Sequence, residues 1–296
     1  LQYYIFIYFQ ELIKRFPMDK YSLPLKIFMY ISIFVFFVFI LLPFIEMFYA
    51  SLRPLKHLFR SPYQFYSDDL SFCAYREMWN TVPLLGRYIF NSFFMAVTVT
   101  FFTLLFVVPA AYSYARFNFP FKQGSLWVLL AVNMFSGAVL LIPLFKLLRT
   151  FDLLNTYFAM IVPGIAFCIP TSIWLLKAYF EKIPVELEEA AYVDGASRID
   201  ILTKIIAPLS TPGIVVTAIY AFIQAYAQQF LIAITFNSIR EYMPIVSGLT
   251  EFIGYQSVKW NEMMAASIVG VFPVLIVFVF LQKYIVEGLT AGAVKN

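Results

Sequence analysis

Long apolar segments alternate with shorter polar ones along most of the chain. Six of the apolar segments have about the length of a helix that crosses a bilayer, which needs roughly 20 residues for a hydrocarbon core of about 30 Å. The pattern therefore predicts an all-α integral membrane protein with six transmembrane helices. The predicted spans are, in chain order, Ile27 to Leu52, Tyr88 to Tyr112, Leu126 to Leu147, Leu153 to Phe180, Gly213 to Phe236 and Met263 to Ile285.

The first 26 residues are predicted to form a separate amino-terminal segment, and residues 27–296 the transmembrane domain. The segment opens with the apolar run LQYYIFIYF, which is too short to span a bilayer and is expected to lie at its interface. A signal peptide carries positive charge before its apolar region and a small-residue cleavage site after it. Neither feature is present, so we expect no signal peptide.

One polar stretch, residues 184–212, separates the fourth and fifth predicted spans and holds five of the 17 acidic residues. Its first half is rich in helix-forming Glu, Leu and Ala behind Pro184, a residue suited to the first helical position. Gly195 follows Asp194 as a turn. Ser197 and Asp200 then have the spacing of a capping box before a second amphipathic helix, which two prolines interrupt. The stretch predicts a helix-turn-helix that protrudes into water.

The same stretch resembles the EAA loop of permease subunits of ATP-binding-cassette importers. The resemblance rests on Glu189-Ala190-Ala191, Gly195, Ile205 and Pro208, with Ala207 in place of the usual Leu. In that family the loop forms a coupling helix that docks in a cleft of a separate ATPase subunit. The alternative is a solvated linker between two membrane helices. The resemblance implies an ATPase contact made by Glu188, Glu189, Ala190, Ala191, Asp194, Gly195 and Ala196.

Other segments resemble sugar permeases in particular. Asn91-Ser92 and the run Ala110 to Phe117 resemble a helix and short inner turn of carbohydrate permeases, and the run Trp260 to Ala266 with the tail from Gln282 to Lys295 resembles the ending of maltose-type permeases. Two further places depart from the family. Asp152 stands where a glycine is common, and the run Gln224 to Phe230 lacks the Trp-Asn pair of many sugar permeases. The solute is therefore left open between a sugar and another molecule.

The resemblance implies several partners and a location. The partners are a second related permease, two ATPase subunits, an extracytoplasmic binding protein, a sugar or oligosaccharide solute, and the lipid bilayer. The location is a bacterial or archaeal inner membrane, with the polar stretch and both termini cytoplasmic. Charge gives little help with orientation, because 12 of the 21 Lys and Arg residues fall on the side of the termini and nine on the other.

Composition and motifs exclude several classes. With 62% hydrophobic residues, 13% charged residues and a mean hydropathy of +0.81, the chain is too apolar for a soluble globule. The net charge of +4 is scattered, so no nucleic-acid partner is expected. Cys73, Cys168 and the single His57 are too few for a zinc site or a catalytic triad, and no phosphate-binding loop occurs. We expect no cofactor and no enzyme activity, with ATP hydrolysed on separate subunits.

A few side chains within or near the spans are candidates for a translocation path. Trp174, Tyr220 and Tyr226 could stack on a sugar ring, and Gln224 lies in the segment that departs from the family. The alternative is that these aromatic residues pack against lipid or other helices. A secondary carrier is the competing function. The few ionisable residues of the spans lie toward helix ends, and no inverted internal symmetry is visible, both of which disfavour it.

Overall fold

The computed structural model describes residues 22–58, 69–135, 137–254 and 257–291, and nearly all of these residues are helical. Within these ranges the one extended pairing is an isolated antiparallel bridge between Ile253 and Val258. The all-helical prediction is confirmed. Most of the predicted segment 1–26, including its apolar run, lies outside the described residues.

Thirteen helices follow one another in the described ranges, together with two short 3₁₀ turns, Arg240–Tyr242 and Leu249–Phe252. The helices are α1 (Leu23–Leu52), α2 (Leu55–Leu58), α3 (Cys73–Thr81), α4 (Leu85–Arg116), α5 (Lys122–Met134), α6 (Gly137–Thr150), α7 (Tyr157–Phe180), α8 (Glu186–Val193), α9 (Arg198–Leu209), α10 (Thr211–Ala227), α11 (Gln229–Phe236), α12 (Ile245–Gly248) and α13 (Trp260–Ala291).

Four of these helices, α1, α4, α7 and α13, are long and apolar enough to cross a membrane without interruption. Two bent pairs, α5 with α6 and α9 with α10, raise the number of candidate spans in the described residues to six if each pair is one span. The described residues thus contain four to six candidate spans, which agrees with the six predicted at the upper limit, but the prediction is wrong about their continuity.

Two predicted spans are broken. The third is interrupted between Met134 and Gly137, where Phe135 takes an extended backbone and glycine offers little helix propensity. The fifth is interrupted at Gln228, between α10 and α11, with neither proline nor glycine at the break. In contrast, α4, α7 and α13 run without a break through prolines. The in-span prolines that continue within helices are Pro43, Pro109, Pro143, Pro163, Pro170 and Pro273.

The fourth span begins later than predicted. Asp152 and Asn155 have positive φ angles of 53° and 61°, which no helix interior accepts. Helix α7 therefore starts at Tyr157, where the Thr156 hydroxyl caps it by accepting a hydrogen bond from the Ala159 amide at 3.2 Å. Glycine adopts such a left-handed conformation without a steric penalty, so the glycine expected from the resemblance would suit the position that Asp152 holds here.

Helix α4 lies at the centre of the bundle, packed against α7 and α10 along its length. Helix α13 packs against α10 and α1, whereas the most apolar part of α1 has no buried residue and presents a phenylalanine-rich surface. The approach of α10 to α7 is close at one point. A Cβ atom added to Gly213 would lie 2.4 Å from Cγ of Tyr179, so only glycine fits there without movement.

We expect Gly213→Ala to lower the apparent melting temperature of the purified protein in detergent, because overpacking against a ring costs about 1–3 kcal/mol. Gly124→Ala is the matched control. Gly124 is also the third residue of its helix, but a Cβ atom there would meet no atom within 4 Å. Alanine should be neutral or stabilising at that position. Equal melting temperatures for the two variants would contradict the close approach.

Candidate functional site

The polar stretch 184–212 folds as two helices joined by a turn, and we call it the polar loop. Its first helix, α8, begins at Glu186 and carries Glu186, Glu188 and Glu189 in its first turn, where the positive end of the helix dipole favours them. The prediction that Pro184 occupies the first helical position is wrong. Pro184 precedes the N-cap residue Val185 and lies outside the helix.

The turn after α8 depends on Gly195, as predicted. Its φ is +84°, and the surrounding hydrogen bonds form a Schellman motif, in which the amide of Gly195 donates to the Tyr192 carbonyl and that of Ala196 to the Ala191 carbonyl, both at 3.0 Å. A Cβ atom at Gly195 would meet no atom within 4 Å. The requirement for glycine therefore comes from the backbone conformation and not from crowding.

The predicted capping box is confirmed at the start of α9. The Ser197 hydroxyl accepts from the Asp200 amide at 3.2 Å, and the Asp200 carboxylate accepts from the Ser197 amide at 3.3 Å. The middle of α9 is a π-helical turn, Ile201–Ile206, which buries both of its terminal isoleucines. The axis of α9 is then bent by 82° from that of α10. The second helix thus lies across the end of the bundle.

Glu188 fastens the first helix of the polar loop to the end of α4. Its carboxylate is only 5% exposed. One oxygen accepts a hydrogen bond of 2.7 Å from the Tyr112 hydroxyl, and the other accepts one from Nε of Arg116. Arg116 also donates to the Ile183 carbonyl at 2.8 Å. The side chain of Glu188 therefore points into the protein, and it is not available to an external partner in this structure.

The second half of the polar loop is held at the same helix end. The guanidinium of Arg198 lies 4.5 Å from the ring centroid of Phe117 and 5.5 Å from that of Tyr192, both within cation–π range. Ala191 and Ala196 are half-buried and pack, with Ile201 and Ile206, against a cluster formed by the ends of α4 and α7. The loop is consequently a rigid part of the fold and not a solvated connection.

The outward face of the polar loop combines charge with exposed apolar side chains. Of the residues expected to contact an ATPase, Glu189, Ala190, Asp194 and Gly195 are exposed. Sequence reasoning missed Val193 and Ile199, which are 88% and 74% exposed on either side of the turn. The sequence could have indicated these two residues, because apolar side chains on either side of the glycine turn are unexpected in a stretch that lies in water.

Amide side chains gather where the fifth span is interrupted. A cavity of about 10 Å³, with room for about one water molecule, is lined by Gln224, Gln228 and Gln229 and otherwise mainly by apolar side chains of α4 and α7. Gln228 donates to Gln224 at 2.9 Å, and Gln229 donates to the Ser92 carbonyl at 3.0 Å. The Gln229 side-chain oxygen is buried without a hydrogen-bond partner among the described residues.

The four residues predicted for a translocation path are not brought together. Only Gln224 lines this cavity. Tyr226 is buried in the core, where its hydroxyl donates to the Gly270 carbonyl, so its ring is committed to packing between α10 and α13. Trp174 and Tyr220 are half-buried and lie outside the cavity lining. Gln228 and Gln229 are the polar residues at the interruption that the sequence-based selection omitted.

At the end of the bundle opposite the polar loop, α4 holds the segment between α11 and α13. Asn91 donates to the carbonyls of Glu241 and Met243 at 2.8 and 2.9 Å, and its own amide oxygen accepts from Tyr157 at 2.8 Å. The Ser92 hydroxyl accepts from the Ile245 amide at 2.9 Å. The Asn91-Ser92 pair noted in the sequence is thus the hydrogen-bonding centre of this end.

A charged group completes the same network. Glu251 accepts two hydrogen bonds from the Arg240 guanidinium and a third, of 2.8 Å, from the Tyr88 hydroxyl. Desolvation acts to raise the pKa of Glu251, but the hydrogen bonds and the positive charge of Arg240 outweigh it, so the pKa lies below its ordinary value. The same ion pair raises the pKa of Arg240. Glu251 therefore stays ionised at neutral pH and braces this segment.

The geometry defines a polytopic helical membrane protein with a rigid helix-turn-helix at one end and an interrupted span beside its central helix. Residues 107–290 match the family described as binding-protein-dependent transport system inner membrane component. The chain is 35% identical over 256 residues to a sulfoquinovosyl glycerol transport system permease protein of Agrobacterium fabrum, with 86% of this chain and 89% of the relative covered.

A trehalose/maltose transport system permease protein of Thermococcus litoralis is 36% identical over 260 residues, which cover 86% of this chain and 92% of the relative. Among solved structures, a bacterial ABC transporter involved in alginate import shares the fold, with a TM-score of 0.74 over 90% of this chain and 99% of that one, at 24% identity. The chain belongs to the family of binding-protein-dependent transport system inner membrane components. The resemblance seen in its sequence is confirmed.

The Glu251 network yields a pH-dependent prediction. Because the folded-state pKa of Glu251 lies below the unfolded value of about 4.3, its stabilisation is present above that value and is lost as the pH falls through the folded-state pKa. We expect Glu251→Gln to destabilise the protein by about 1 kcal/mol at pH 7.

The difference in melting temperature between this variant and the wild type should shrink as the pH is lowered below about 4. Glu241→Gln, at an exposed acid of the same segment, is the control and should change little at either pH. A difference for Glu251→Gln that stays constant with pH would contradict the assignment.

Proposed function

We propose that this chain is one permease subunit of an ATP-binding-cassette importer for a sugar or oligosaccharide. It would work with a second related permease, two ATPase subunits and an extracytoplasmic binding protein. The family supports a transport role, and relatives named for sulfoquinovosyl glycerol and for trehalose or maltose support a glycoside as the solute. The observation that carries the proposal is the rigid polar loop with its outward apolar and acidic face.

That outward face has the chemistry of a docking surface for an ATPase subunit. Val193 and Ile199 expose apolar area that a partner would bury on docking, while Glu189 and Asp194 supply charge on the same loop. Schellman and capping-box hydrogen bonds fix the two helices relative to each other. A preformed surface loses little conformational entropy when it binds.

The interrupted fifth span is the candidate for solute contact. Amide side chains donate and accept hydrogen bonds without charge, which suits a neutral, hydroxyl-rich solute. Gln224, Gln228 and Gln229 lie together where α10 ends and α11 begins, and the buried Gln229 oxygen has no hydrogen-bond partner in the part of the chain that the structure describes. The cavity is too small for a sugar in this conformation, so solute access requires the helices to move or a surface shared with the second permease.

The orientation follows from the docking proposal, with the polar loop and both termini in the cytoplasm. In a Cys73→Ser, Cys168→Ala background, a cysteine introduced by Ser197→Cys should resist an impermeant thiol reagent in intact cells and react after the membrane is opened. Ser197 is exposed in the chain, so in cells that lack the ATPase subunits its accessibility is decided by the membrane alone. Labelling from outside intact cells would invert the topology and remove the docking proposal.

Two variants of the polar loop should impair coupling while leaving the chain in the membrane. Gly195→Val forces a β-branched residue to φ +84°, at a cost of roughly 1–2 kcal/mol, and redirects the turn. Glu189→Lys reverses a charge on the outward face. We expect either one to reduce ATPase association or solute-stimulated ATP hydrolysis in vesicles reconstituted with the partner subunits.

Glu181→Lys, at an exposed position just before the polar loop, is the control and should leave both quantities unchanged. The purified chain without its partners should hydrolyse no ATP. Full association and full coupling in both loop variants would show that the polar loop is only a connection.

A further inference from the structure

We propose that Glu188, Arg116 and Tyr112 are positioning residues that bind the polar loop to α4, so that a displacement of the loop moves the central helix of the bundle. We call this group the loop clamp. The inference rests on the proposed coupling function, because a displacement is produced only if an ATPase subunit docks on the loop. All three residues of the loop clamp lie in this chain, so the clamp itself forms without a partner subunit.

Two side chains of α4 hold the Glu188 carboxylate, one at each oxygen. Tyr112 and Arg116 are one helical turn apart on α4, so their side chains share a face. Each binds a different oxygen of the Glu188 carboxylate, and Arg116 also donates to the carbonyl of Ile183, the residue just before the polar loop. A carboxylate held through both of its oxygens cannot swing without losing a hydrogen bond. Helix α8 therefore has a fixed orientation relative to α4.

Burial distinguishes the loop clamp from the other ion pair of the polar loop. The side chains of Arg116 and Glu188 are 10% and 6% exposed, and breaking a buried pair leaves an uncompensated charge at a cost of several kcal/mol. Lys204 and Asp200 also pair, at 2.6 Å, but they are exposed neighbours on α9 and stabilise only their own helix. Among the ion pairs that the structure describes, the pair of Arg116 with Glu188 is the one that joins the polar loop to a membrane span.

A second contact makes the attachment rigid. Arg198, at the start of α9, stacks on Phe117, the residue that follows Arg116. The two helices of the loop are thus fixed to consecutive residues at one end of α4. Because α4 is packed against α7 and α10 along its length, motion of the loop is transmitted to the helices beside the cavity that Gln224 and Gln229 line. Hydrogen bonds carry the motion from the loop into the membrane at this point.

The test needs a variant that breaks the contact between the polar loop and α4 without unfolding the protein. Replacing both members of a buried ion pair by apolar residues of similar volume is often neutral for stability. The double variant Glu188→Met with Arg116→Met should therefore insert, fold and retain its ATPase subunits, while it loses the hydrogen bonds to Tyr112 and Ile183. Lys177→Met with Glu181→Met is the matched control, because it removes an ion pair on the same side of the membrane but outside the loop.

The first readout is the amount of solute transported per ATP hydrolysed in vesicles that contain all the subunits. We expect the clamp variant to lower this ratio at least about tenfold, with the KM for ATP unchanged, and the control pair to leave it unchanged. A ratio within about twofold of the wild type, in a variant that keeps its ATPase subunits, would overturn the inference.

The second readout needs no partner subunit. Spin labels at Asn118 and Val193, both exposed, report the distance between the end of α4 and α8 in the chain alone in lipid. The wild type should give a narrow distribution and the clamp variant a broad one. An unchanged distribution refutes the loop clamp. The two proposals can also fail separately. If the clamp variant broadens the distance distribution but the wild-type chain associates with no ATPase subunit, the loop clamp is supported and the proposed function is refuted.

Discussion

The structure depends on a constraint that lipid imposes on polar groups, which are costly to bury unless the protein itself supplies their hydrogen-bond partners. Helix α4 shows how this is met. In its middle, the hydroxyls of Thr98 and Thr100 donate to carbonyls of their own helix at 2.7 Å each, so they need no hydrogen-bond partner on another helix. At its ends, Asn91 and Arg116 bind segments that lie outside the predicted spans. A helix of 32 residues, about 48 Å long, thus connects the two ends of the bundle.

The fifth predicted span combines a close helix contact near one end with a break near the other. Where α10 meets α7, Gly213 allows contact at a distance that no larger residue permits, and this fixes the bundle near the polar loop. Farther along the same span, the helix stops at Gln228, and amide side chains fill the space. Gln224 and Gln228 are four residues apart and share a helix face, and Gln229 follows directly after the break, so that all three line one cavity.

The polar loop has two faces with different tasks. Its inward face packs Ile201 and Ile206 against the span ends and buries Glu188. Its outward face leaves Val193 and Ile199 exposed beside acidic residues. A loop that served only as a connection would need neither a rigid turn nor an apolar outer surface, and both cost free energy in isolation. The arrangement agrees with the proposed docking of an ATPase subunit on the outward face, while the inward face attaches the loop to the bundle.

The sequence by itself determined the helical membrane class, the family, the glycine turn at Gly195 and the capping box at Ser197, because hydropathy and backbone conformation are properties of short segments. It did not determine which face of α8 turns inward. Glu188 and Glu189 are adjacent and chemically identical, yet only the tertiary structure brings Tyr112 and Arg116 to the first of them. It also could not place the break at Gln228, because nothing in the local sequence requires one. Contacts between distant segments decide such features, and those contacts exist only in the folded chain.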